Sequence, residues 1–276
     1  MALLATSKSC RLIVLLLCLL VLPCVGATCL GPVQGTLALR EAQDTFNQAA
    51  VLTNQRYAEP FATNSADMVP PESPQDKYAR VVQIINEDVL NSVDRNDLKV
   101  NALTLLAFSE WQLKHYDKAN VAAETGKDLY ERTGLQTNRR DYGMLLILRG
   151  LVKHSQSYER YEKLRTTRFL EPQEAQGITD SMDEALKNID EINTKLDKDE
   201  PVVIYANRQQ LVIIKNILDV WSATKSPENF KQPMCVWATR GTRLWSENFP
   251  KDYAIKDDVS RLQKEIKDVS NKLGCP

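Results

Sequence analysis

From Leu37 to Leu273 apolar side chains recur three and four residues apart, and the two-residue alternation of a strand is almost absent. That period confines the chain to helices that bury one stripe each. Leu37, Leu39, Ala42, Phe46, Ala49, Ala50 and Leu52 outline a first helix ending near Asn54. Residues 55–74 hold Pro60, Pro70, Pro71 and Pro74 among polar residues and are expected to form a connector. Ser73 and Pro74 then read as the cap and first residue of a helix carrying Tyr78, Val81, Val82, Ile85, Val89 and Leu90. Asp97 and Thr137 are candidate caps for later helices, and Gly134 is a candidate stop. The helix after Thr137 is apolar nearly all round (Leu145, Leu146, Ile147, Leu148, Leu151) and is expected to be central. A separate basic helix is predicted from Tyr158 to Leu170, an amphipathic one from about Gln173 to Leu196, and a long one opened by Pro201. The evenly spaced, proline-marked joints favour one all-α domain over two. The composition, 43% hydrophobic and 26% charged, supplies enough apolar side chain for its core.

The N-terminus has a different character. Lys8 and Arg11 precede the apolar run Leu12–Leu22, which is too short to cross the ~30 Å hydrocarbon core as a helix. Pro23 breaks it, and Val25-Gly26-Ala27 offers small residues to a signal peptidase. Residues 1–27 are therefore expected to be a secretory signal and residues 28–276 the exported domain, periplasmic or extracellular. Removing Lys8 and Arg11 takes no acid with them, so the net charge of −1 deepens to about −3. An acidic exported chain gives no support to nucleic-acid binding.

Cleavage would remove Cys10, Cys18 and Cys24 and leave Cys29, Cys235 and Cys275. An odd number in an oxidising compartment is met most simply by a Cys235–Cys275 disulfide with Cys29 left over. Cys29, close behind the cleavage point, resembles the N-terminal cysteine of bacterial lipoproteins. It is the candidate lipidation site, and the only expected route to a membrane.

Residues 102–127 (ALTLLAFSEWQLKHYDKANVAAETGK) show a further pattern. Leu106 and Ala107 are large then small on one helix, Tyr116 and Asp117 mark the turn, and Ala119 and Gly126 are small positions on the next. This resembles a tetratricopeptide repeat, and residues 182–201, with Met182, Ala185 and Ile189, resemble a partial second copy. The resemblance implies antiparallel helical hairpins stacked as a short α-solenoid. Such stacks bind protein or peptide partners in a groove along one edge. Trp111 and Tyr116 lie on the better copy, and Arg139 and Arg140 lie close after it; these are candidate partner-binding residues.

The C-terminal segment adds a second set. Trp237 and Trp245 fall near one helical face with Arg240 and Arg243 between them, the aromatic–arginine mixture common at interface hot spots. Ile255, Val259, Leu262, Ile266, Val269 and Leu273 form a short heptad seam. Residues 253–274 are expected to cap the stack, with Cys275 tied to Cys235. Dimerisation through the seam is the alternative.

Catalytic signals are missing. His115 and His154 are the two histidines, and neither has a second ligand at metal spacing. No HExxH, GxSxG or glycine-rich phosphate loop occurs. The acidic turns at Asp94–Asp97 and Asp197–Glu200 read as solvated joints rather than calcium loops. The expectation is a non-catalytic scaffold without cofactor or metal. A carrier of a small apolar ligand, its pocket lined by Trp221, Trp237 and Trp245, is the alternative, and a hydrolase using two carboxylates is a further one.

Overall fold

A computed structural model describes residues 33–53 and 73–275. The signal-like segment with Cys29 lies outside the described residues, as does the connector up to residue 72. Within them the secondary structure is all-α: no strand is present, and one isolated bridge joins Leu170 to Thr224.

Proline, serine and glycine set the boundaries. Helix α1 covers residues 33–53, and α2 spans Pro74–Ile84 before a π-helical turn at Ile85–Val89. Ser73 caps α2 as its sequence suggests, its hydroxyl accepting from the Gln75 amide at 3.3 Å. Helix α3 runs Asn96–Gln112 and α4 Tyr116–Thr133, the latter closed by Gly134 at φ 61°. A left-handed C-cap is a place where glycine costs least. Helix α5 spans Arg139–Arg165, α6 Pro172–Asp190, α7 Ile192–Lys195 and α8 Pro201–Ser222. A 3₁₀ turn at Pro227–Phe230 leads into α9, Lys231–Asn248, and α10, Lys256–Leu273, ends at the left-handed Gly274.

Several local expectations are revised. The apolar helix and the basic helix predicted as separate elements are one, α5, because Val152–Ser157 contains neither proline nor glycine to end it. Asp97 is not the cap of α3. It lies in the first turn, paired with Arg95. Asn138 rather than Thr137 precedes α5, with its side-chain amide donating to the Asp97 carbonyl at 2.6 Å.

Tertiary order follows from the turns. Short joints fold α3 back on α4, α5 back on α6, and α8 back on α9. Small residues set the distance within each pair: Gly126 faces Leu103, Gly150 faces Ala185 and Ile189, and Gly241 faces Ile214. The leading helices α3, α5 and α8 touch in series, while α4 leans on α5 and α6 on α8. Helix α1 runs against α2, with Phe46 edge-on to Tyr78 at 5.5 Å. Helix α10 lies on both α8 and α9, burying Val259, Leu262 and Ile266, so the heptad seam is occupied within the chain. One apolar cluster continues from Leu39 to Ile266.

Candidate functional site

The leading helices run parallel to one another, so residues a little over forty apart come level between α3 and α5, and residues about sixty apart between α5 and α8. Trp111 on α3 donates its indole N–H to the Ser155 hydroxyl on α5 at 3.0 Å. Tyr116, at the start of α4, donates to Glu159 on α5 at 2.8 Å. This register opens a groove of about 1170 Å³ between the end of α1, the start of α2, and α3, α5 and α8. Five aromatic side chains line it: Tyr78, Trp111, Tyr116, Tyr158 and Tyr205.

The groove wall is held by its own chain. The α3–α4 turn needs Lys114 in the left-handed region, φ 63°, a conformation that costs a non-glycine residue about 1–2 kcal/mol. From there its ammonium reaches Glu159 at 2.7 Å. Behind it the buried Glu110 meets Nδ1 of His115 at 2.6 Å. Glu162 is clasped by Arg165 through two 2.8 Å bonds, and Arg208 on α8 holds Asp258 of α10 at 2.7 Å. Burial, aided by a hydrogen bond to Glu162, pushes the Tyr158 hydroxyl up to about 12, so it stays protonated. The charged groups are thus matched internally, and aromatic faces with amides such as Gln112 are left towards the opening.

The two groove carboxylates, Glu159 and Glu162, are shifted in the same direction. Burial disfavours the Glu159 charge, but bonds from Lys114 and Tyr116 outweigh it and hold the carboxyl below its usual range. Arg165 and Tyr158 do the same for Glu162. A pair that divides acid and base roles needs environments that push the two pKa values apart.

His154 lies on α5, one turn before Tyr158 in the groove wall. Asn216 on α8 faces its Nε2 at 2.9 Å. Burial lowers its pKa from 6.5 to about 4, so the folded chain keeps the ring neutral where the unfolded chain would charge it. The unfolded state then binds more protons between about pH 6.5 and 4, and stability falls as pH drops through that window, levelling off below it. We expect a decline of a few kcal/mol in urea-unfolding free energy from pH 7 to 4. In His154→Gln that slope should flatten; an unchanged slope would assign it to other groups.

The remaining candidates lie elsewhere. Arg139, at the start of α5, bonds Asp197 at 3.1 Å, and Arg140 beside it is exposed; neither lines the groove. On α9, Arg240 stacks 5.0 Å above the half-buried Trp237 and bonds Asp183 at 2.8 Å, while Arg243 pairs with Glu247 one turn on. Trp245 packs against the core, and Trp221 is buried against Phe230 at 4.9 Å. Of the sequence candidates the groove brings together Trp111 and Tyr116 and adds Tyr78, Tyr158 and Tyr205. Nothing in the sequence marks Tyr158, because the offset that pairs Trp111 with Ser155 and Tyr116 with Glu159 is set by the packing of α3 and α5.

Among the described residues no cluster of three or more His, Cys, Asp or Glu side chains could hold a metal ion, and no helix is long and apolar enough to cross a membrane. No protein-family model, curated protein or solved structure matches the chain.

Proposed function

We propose that this chain is an exported, tetratricopeptide-like scaffold that binds a segment of another protein in the groove between α3, α5 and α8, without catalysis. The observation that carries this is the row of half-buried aromatic side chains, Trp111, Tyr116, Tyr158 and Tyr205, on separate helices above the buried Tyr78, with Trp111, Tyr116 and Tyr158 each held by a hydrogen bond within the chain. Pre-set aromatic anchors are what peptide recognition favours, because little side-chain freedom remains to be lost on binding. A volume near 1170 Å³ exceeds the roughly 300–1,000 Å³ typical of small-ligand pockets and suits a chain segment better than a compact metabolite. The internally matched charges favour a partner segment led by apolar and aromatic side chains.

Site-specific crosslinking tests the reading. A photoreactive phenylalanine derivative at Gln112, introduced in the exporting cell, should capture one discrete protein. The same group at the exposed Val121 on α4 should not. Tyr158→Ala should weaken that capture at least tenfold, the scale of a hot-spot truncation. Equal capture at both positions, or none at Gln112, would overturn the proposal.

A further inference from the structure

A second concavity of about 310 Å³ lies where α4, α5 and α6 meet, and its polar groups differ from those of the groove. Arg149 and Lys153 stand one turn apart on α5, and Lys187 joins them from α6. Amides from all three helices line the same space: Asn120, Gln156 and Asn188. One carboxylate, Glu184, is among them, paired with Lys153 at 2.6 Å. Lys187 is held by Asp183 at 2.8 Å.

Where the groove satisfies its charges internally, this cavity leaves hydrogen-bonding capacity unused. The Arg149 guanidinium and the amides of Gln156 and Asn188 have no side-chain partner among the described residues. The Asn120 side-chain oxygen is buried and also unpartnered. A buried amide without a partner is uncommon in folded chains, and each instance asks for an explanation. Guanidinium binds planar oxyanions through two parallel bonds, and amides both donate to and accept from hydroxyls.

We propose that this cavity binds the oxyanion group, carboxylate or phosphate, of a small hydroxylated molecule. Arg149, the cation of the three without a carboxylate partner among the described residues, grips the oxyanion, and Asn120, Gln156 and Asn188 hold the hydroxyls. The volume matches a single sugar acid or sugar phosphate, at the small end of ligand pockets. The site is independent of the groove.

Calorimetric titration of the purified full chain at constant ionic strength tests it, with inorganic phosphate, galacturonate and neutral galactose as probes. Saturable binding of phosphate or galacturonate but not galactose is expected, at least tenfold weaker in Arg149→Met and weakened in Asn188→Ala. Both side chains are outside the core, so both variants should fold. Flotation with phosphatidylglycerol vesicles separates the sources: attachment lost in Arg149→Met would assign the same oxyanion to a lipid headgroup. If neither the free anions nor the vesicles bind in an Arg149-dependent way, the proposal fails.

Discussion

Gly150→Val should cost this fold about 3 kcal/mol or more, a large share of the roughly 5–15 kcal/mol that keeps a domain folded, because overpacking a tight helix contact typically costs about 1–3 kcal/mol even for smaller additions. The reason is the distance between α5 and α6. A Cβ at position 150 would lie 2.4 Å from Cγ1 of Ile189 and 2.7 Å from the Ala185 carbonyl oxygen. Ile189 is fully buried, so it cannot swing out into solvent. The carbonyl belongs to the α6 backbone, so it can retreat only if the whole helix does. Gly177, on the same α6, provides the control: nothing lies within 4 Å of its would-be Cβ. Gly177→Ala should therefore gain up to ~1 kcal/mol from helix propensity alone. Urea unfolding of the two variants should move in opposite directions, at similar m-values. A Gly150→Val protein within about 1 kcal/mol of the parent would mean that the two helices do not approach as closely as described.

That contact shows how much of the architecture could be read beforehand. Ala185 and Ile189 belong to the partial repeat copy, so the sequence pointed to a close helix pair there, but not to Gly150 as its other side. Caps were legible where one or two adjacent residues decide them, as at Ser73 before Pro74 and Gly134 after its helix, but the starts expected at Asp97 and Thr137 fell one or two residues away. The inward seam of α10 was legible because its period is local. Helix α3 was not. Its apolar set suggested one buried face, whereas everything from Ala102 to Glu110 is buried, including Ser109 and Glu110. Neighbours on several sides decide that, and they come from distant parts of the chain. The groove is hidden for the same reason. Tyr158 and Tyr205 are ordinary helix residues until the parallel register of α3, α5 and α8 sets them beside Trp111 and Tyr116. Arg139 looked available for a partner, yet Asp197 and Glu200, from the turn before α8, already hold it.

Removing the Cys235–Cys275 bond, by a reductant or by the double change Cys235→Ser and Cys275→Ser, should lower stability by about 4 kcal/mol on the chain-entropy account of a loop this long. The bond closes a sequence separation of 40 residues, with Cα atoms 5.3 Å apart. Its placement follows from α10. Gly274 turns the chain left-handed at φ 61°, and the Cys275 amide then donates back to the Ser270 carbonyl at 3.0 Å. That turn sets Cys275 over the second turn of α9, where Cys235 stands. Helix α10 lies on α8 and α9 through Val259, Leu262 and Ile266, and Ile266 sits against Gly241. The unfolded chain gains most of the freedom when the tie is cut, while the buried seam keeps α10 in place. The double variant should therefore remain folded and sediment as the parent does, with its urea midpoint lowered. Reductant should lower the parent's midpoint by the same amount and leave the double variant unchanged. A loss below about 1 kcal/mol would show that the tie constrains little. A shift to a dimer in the double variant would show that the seam prefers a second chain, and that the disulfide had been holding it inward.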